Sequence, residues 1–119
     1  MRDEELRDAL AEHLDETRSQ AARVEAAFRA AGGEPAAARS AELAGLLGQQ
    51  DDQQVKEPAL QDLVIAWGAM RTEHLELGVY DTLLGVLPDD GLRQNRDEEK
   101  KALARVARIA ERLRADLRG

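Results

Sequence analysis

The sequence predicts an all-α protein, a bundle of three long helices and one short one. Apolar residues recur at steps of three and four along most of the chain, Ala and Leu dominate the apolar set, and no stretch alternates apolar with polar residues as a half-buried strand would. The 119 residues suffice for one domain, 1–119, around one core. With 43% hydrophobic and only 3% aromatic residues, that core has few large anchors.

The first helix is expected from Asp3 to Ala31, where Leu6, Leu10, Leu14, Ala21, Val24 and Phe28 line one face. Gly32-Gly33 ends it, because a glycine can take the left-handed conformation that closes a helix, and Pro35 cannot continue one. Ala36 to Gln49, with Leu43, Leu46 and Leu47, reads as the short helix, and Asp51 to Glu57 as a solvated connection. Pro58 suits a first helical turn, so a third helix runs from Pro58 to Leu87. The turn Pro88-Asp89-Asp90-Gly91 leads into a fourth from Leu92 to Leu117.

The helix after Pro58 has two stripes. Leu60, Leu63, Trp67, Met70, Leu77 and Leu84 form an ordinary core face, while Ala66, Ala69, Glu73, Glu76, Tyr80, Leu83 and Leu87 form a second seam with carboxylates inside it. Apolar on both sides, this helix is expected to be central.

Seventeen basic against 24 acidic residues give a net charge of −7, which disfavours nucleic acid and anionic membrane as partners. No apolar run approaches the roughly 20 residues of a membrane span, and Met1-Arg2-Asp3-Glu4-Glu5 lacks the apolar stretch of a secretory signal, so the expected location is cytoplasmic. The absence of cysteine removes disulfides, zinc fingers, iron–sulfur clusters and thiol nucleophiles. Any metal site must therefore use carboxylate and histidine.

A carboxylate in an apolar seam must be neutralised, paired or bound to a cation. Glu73 and Glu76 fall in one such seam, and Glu99 falls among Leu92, Leu103, Val106, Ala110 and Leu113 in another. His13, Glu16 and Gln20 lie beside the first helix's stripe at i, i+3 and i+7. Inward carboxylates and histidines from several helices build di-iron and di-manganese sites, usually with Glu-x-x-His pairs. Here the spacing is His13-x-x-Glu16, and the adjacent Glu73 and His74 point about 100° apart, too far to share one ion easily. The alternative is a seam rotated by one position, with these acids solvated. Lys101, Arg105, Arg108 and Arg112 form a basic stripe that reads as a solvated face paired with neighbouring acids, and His74 as a surface or packing residue.

Four segments in order resemble the YciE/YciF ferritin-like family. His13-Leu14-Asp15-Glu16-Thr17 with Gln20 and Val24-Glu25 is similar to that family's "HLEET…Q…RLE" helix, and Glu42-Leu43-Ala44-Gly45-Leu46-Leu47 to its "AMEGLI" segment. Glu73-His74-Leu75-Glu76 with Tyr80, Thr82 and Leu83 resembles "EHYEIASYGTL", and Asp97-Glu98-Glu99-Lys100 resembles "EEEK". The resemblance implies a ferritin-like four-helix bundle with a long crossover, a carboxylate-rich metal centre at mid-bundle and a stress-linked role. It implies Glu16, Glu73, Glu76 and Glu99 as metal ligands, for iron or manganese if any metal is bound.

The same resemblance implies departures. The family's first helix, with a "DAEKQL"-like segment that supplies a further acid, has no counterpart here, and Leu103 stands where another acid follows the "EEK" motif. The di-metal site is thus expected to be incomplete within one chain. Three functions remain open: a ferritin-like protein working through self- or partner-assembly, a di-iron or di-manganese oxidase completed across a dimer, and a metal-free helical adaptor. The residues alone establish no catalytic activity. Two apolar stripes on one helix of a three-helix arrangement leave a patch uncovered, so a homodimer is expected.

Overall fold

The computed structural model describes residues 2–33 and 57–119. Among them are three α-helices and no strand: α1 (Glu4–Ala30), α2 (Pro58–Leu84) and α3 (Asp90–Arg118). The short helix expected at 36–49 lies outside the described residues.

Each helix starts at a side chain that caps its free N–H groups. Asp3 accepts from Leu6 N at α1, Glu57 from Ala59 N and Leu60 N at α2, and Asp89 from Leu92 N at α3. The cap at Asp89 starts α3 two residues before the expected Leu92. At the other end of α1, Gly32 has φ 80, Gly33 N donates to Phe28 O and Gly32 N to Arg29 O. This pair of bonds satisfies carbonyls that the last turn would otherwise leave open. Helix α2 stops at Leu84, short of the expected Leu87, because Gly85 closes it and the chain tightens so that Val86 N and Leu87 N both donate to Leu83 O ahead of Pro88.

The buried positions follow a seven-residue period in all three helices: Leu6, His13, Gln20 and Ala27 in α1; Ala66, Glu73 and Tyr80 in α2; Leu92, Glu99, Val106 and Leu113 in α3. A period of seven keeps one seam facing a partner helix along its whole length. The residues that meet define the direction of each helix. Leu6 and Ala9 pack with Ala66, Val106, Ile109 and Leu113 at one end, while Ala27 packs with Tyr80 and Leu92 at the other. Helices α1 and α2 therefore run the same way, and α3 runs against both. Matched sevens place His13, Glu73 and Glu99 in one layer between the two apolar clusters.

Two expectations change. The central element is α3, which packs against both α1 and α2, whereas α1 and α2 touch each other little. The core face of α2 is the Ala66–Glu73–Tyr80 seam, and the Leu60–Trp67 stripe lies at its margin, with Trp67 53% and Leu60 40% exposed. Small Ala66 and Ala69 let α3 approach closely along their own seam, which the bulkier Leu60–Trp67 stripe does not allow. Leu63 and Met70 still reach the core from that margin.

Polar ties hold the helices in this register. The buried Asp62 carboxylate accepts from Arg2 N at 3.1 Å and from Asp3 N at 2.8 Å, fixing the start of α1 to α2. Arg112 of the basic stripe donates to Asp3 and Glu5, and Arg105 to Glu12, so these two cations pair with α1 acids as expected for a solvated face.

Replacing Asp62 with Ala leaves two N–H groups without their acceptor. We expect a loss of about 1–3 kcal/mol in urea unfolding and faster amide exchange in the first turn of α1, with other helices unchanged. An unaltered urea midpoint would show that the tie contributes nothing.

Candidate metal centre

The mid-bundle layer draws on all three helices. From α1 come His13 and Glu16, one turn apart; from α2 come Glu73 and Glu76 at the same spacing; from α3 comes Glu99. His13, Glu73 and Glu99 are buried, Glu73 and Glu99 completely so. Glu76 is half-buried, and the Glu16 side chain is 43% exposed at the rim. The rotated-seam alternative therefore fails for Glu73 and Glu99.

The imidazole of His13 stands at the centre of the group. Its Nε2 is 3.8 Å from Glu99 Oε1 and 3.9 Å from Glu73 Oε1, and its Nδ1 is 4.0 Å from Glu16 Oε2. These separations are too long for hydrogen bonds. Both imidazole nitrogens and all four oxygens of Glu73 and Glu99 are buried without a hydrogen-bond partner in the structure. Buried polar atoms are rarely left so, and a run of them around one point indicates a site built for something else.

The spacing suits a cation. With metal–donor bonds of about 2.0–2.2 Å, two donors on one ion stand no more than about 4.4 Å apart, and the Nε2 distances to Glu73 and Glu99 lie within that reach. One donor atom each from His13, Glu76 and Glu99 lies within 4.8 Å of the others. Imidazole with several carboxylates is a donor set for iron or manganese, whereas thiolate-preferring ions have nothing to bind here. The residues present therefore fit a divalent ion.

Without a cation the layer is held by protons. Burial pushes the Glu73 carboxyl up to about 8, and the charges of Glu76 and Glu16 add to the shift. Glu99 is raised in the same direction, first by burial and then by the Glu76 and Glu73 carboxylates, with Gln20 opposing. A cation held by these residues would stand in place of these protons.

All four acids singled out from the sequence lie around this point, and the structure adds His13 to them. Its spacing to Glu16 was visible in the sequence, but only the register of α1 against the other helices brings its ring inward. Gln20 and Tyr80, two turns beyond His13 and Glu73, meet Asn95, one turn before Glu99, in a neutral layer: Asn95 Nδ2 donates to Gln20 O at 3.0 Å and to Tyr80 OH at 3.3 Å. Asn95 lies outside the apolar seam read from the sequence, and nothing there marked it. His74 is exposed and takes no part.

A family profile described as Domain of unknown function (DUF892) matches residues 1–117. The chain belongs to the DUF892 family. DUF892 is a ferritin-like type of family, and the buried His/Glu cluster in an all-helical chain fits that type. No curated protein and no solved structure matches the chain. No helix among the described residues is long and apolar enough to cross a membrane.

A carboxyl whose folded pKa exceeds its unfolded value binds its proton more tightly in the native state. Its contribution is fully present below about 4.5 and is lost as pH rises through about 8. The thermal midpoint of metal-free protein, held in chelator, should therefore fall between pH 5 and pH 8.5. Glu73→Gln should flatten that slope and raise the midpoint at pH 8.5. A midpoint independent of pH in the unsubstituted protein would refute the buried-acid account.

Proposed function

We propose that this DUF892 chain is a YciF-type ferritin-like protein, a single domain over 1–119 acting in the cytoplasm in a stress-linked role. Its mid-bundle layer is a di-metal centre reduced to one ion position, taking iron or manganese. The observation that carries this reading is the orphaned set of His13, Glu73 and Glu99 atoms, buried and converging from three helices.

The residues divide the work. His13 would offer Nε2 to the ion, since that nitrogen faces Glu73 and Glu99, while Nδ1 lies on the Glu16 side of the ring. Glu73 and Glu99 supply fully desolvated carboxylates, and Glu76 joins from the half-buried side. A bound ion supplies Lewis acidity and, for iron or manganese, one-electron chemistry. The Leu6–Val106 cluster and the Ala27–Leu92 cluster exclude water from both ends of the layer. The ligands come from one chain, so this reading needs no donor from a second copy, unlike the oxidase completed across a dimer.

Manganese titration by calorimetry, with elemental analysis of chelator-free protein, tests the centre. About one ion per chain is expected, with His13→Ala and Glu99→Gln each weakening binding at least tenfold, about 1.4 kcal/mol or more. Absence of binding by unsubstituted protein would leave a metal-free helical adaptor as the better reading.

We also propose that the chain works as a homodimer through the margin of α2. Leu60 and Trp67 are exposed there on the side away from the Glu73 seam, with Arg71 stacked over the indole at 5.0 Å. Covering such a stripe by self-association removes apolar surface from water and closes under two-fold symmetry. Light scattering should give twice the 13.1 kDa chain mass at micromolar concentration. The single tryptophan should shift to the red as the sample is diluted, and Trp67→Glu should yield a monomer that still binds metal. A 13.1 kDa species at all concentrations would refute the dimer.

A further inference from the structure

Next to the metal layer stands a carboxylate that does not join it. Glu98 precedes Glu99 on α3 and faces α1 across the helix interface. Where the oxygens of Glu99 have no hydrogen-bond donor, those of Glu98 have several: Arg23 Nη1 at 2.9 and 3.1 Å, Gln20 Nε2 at 3.2 Å and Gln94 Nε2 at 3.2 Å. Although burial acts to raise it, these bonds and the Arg23 charge hold the Glu98 carboxyl below its ordinary value. Glu98 is thus a fixed anion with its lone pairs committed, while its neighbour Glu99 is a carboxyl without a donor to its oxygens.

Arg23 does more than pair with Glu98. The same Nη1 donates to Asn95 Oδ1 at 3.0 Å, which ties the guanidinium into the neutral Gln20–Tyr80–Asn95 layer. That layer is the wall of the metal centre on the Tyr80 side. Among the described residues it offers no carboxylate: the Asn95 amide donates to the Gln20 main-chain carbonyl and to Tyr80 OH, the Gln20 amide donates to Glu98, and Arg23 puts a full positive charge at its edge. A second dication seeking ligands on this side meets a like charge and finds the one nearby carboxylate already bound. Gln20 marks how near Glu98 is to the site, since its amide donates to Glu98 while its side chain also acts on the Glu99 carboxyl.

We infer that Arg23 is a specificity-determining residue that withholds Glu98 from the carboxylate–histidine layer and so limits each chain to one divalent ion. This rests on the metal-binding reading above. It explains how a bundle with acids at Glu16, Glu73, Glu76, Glu98 and Glu99 keeps a single ion position: Glu98 shares Gln20 with Glu99 but is occupied by an arginine. Arg23 acts through Glu98 and touches no ligand that the layer presents to the ion.

The test is manganese stoichiometry, read by calorimetry and by loss of the free Mn(II) electron paramagnetic resonance signal on intact protein. Unsubstituted protein should take up one Mn(II) per chain. Arg23→Met should take up two, because Glu98 is then an uncompensated carboxylate beside Glu99, and adding Glu98→Gln to that variant should return the count to one. A purely structural role for Arg23 would lower the thermal midpoint without changing the count, and a count of one in folded Arg23→Met would overturn the inference. Should Arg23→Met not fold, Glu98→Gln alone decides: it should keep one ion with affinity within about twofold, because Glu98 is not a ligand. A tenfold or greater loss there would mean that Glu98 already binds the ion, which also overturns the inference. Unsubstituted protein that binds two ions overturns it too, whereas unsubstituted protein that binds none rejects the metal-binding reading itself.

Discussion

Desolvation of two carboxyl groups and an imidazole at the middle of a narrow bundle governs the rest of this structure. Glu73 and Glu99 have no access to solvent and no donor to their oxygens, and His13 sits between them with both nitrogens unpartnered. An unpaired buried carboxylate is costly enough that the group takes up a proton instead, as the raised values of both acids express. In the metal-free chain the layer is therefore held in its protonated form. The apolar residues on either side must be strong enough to keep the helices together around it.

The bundle meets that requirement by separating its two tasks along the axis. Leu6, Ala9, Ala66, Val106, Ile109 and Leu113 make a dry cluster at one end, and Ala27, Tyr80 and Leu92 make a smaller one at the other. Polar ties outside the core then fix the sliding freedom that apolar contacts leave open. Asp62 binds backbone N–H groups at the start of α1, and Arg112 and Arg105 cross from α3 to acids of α1. Exposed ion pairs of this sort add little stability singly. Their consequence is register, because a shift of α1 by one turn would carry His13 out of the layer.

Two wheels of charge surround the site and differ in kind. Among the described residues no Lys or Arg forms an ion pair with Glu73 or Glu99, and His13 is the group nearest to both. At the adjoining interface Arg23 satisfies Glu98 and Asn95 together. The contrast between neighbouring residues 98 and 99 is produced by about 100° of helical rotation, which turns one toward α1 and the other into the seam. Membership in the ferritin-like DUF892 family agrees with acids at mid-bundle. The single histidine on α1, rather than Glu-x-x-His pairs, gives this chain its own donor set.

The sequence by itself determined where the helices lie, because caps and breakers are local. Asp89, Pro58 and Gly32-Gly33 act within a turn of their own position, and a period of three and four residues is readable without any partner. It also marked Glu73, Glu76 and Glu99 as anomalies, since a carboxylate inside an apolar seam stands out on one helix alone. What only the tertiary structure decided is which face of each helix is inside. Helix α2 has two stripes of comparable apolarity, and the choice of the Ala66–Tyr80 seam over the Leu60–Trp67 stripe depends on how closely α3 can approach. The same docking made α3 the shared wall in place of α2. It also turned His13, one position away from the apolar stripe of α1, into the centre of the site, because the contact that buries it is made by residues 60 and 86 positions further along the chain.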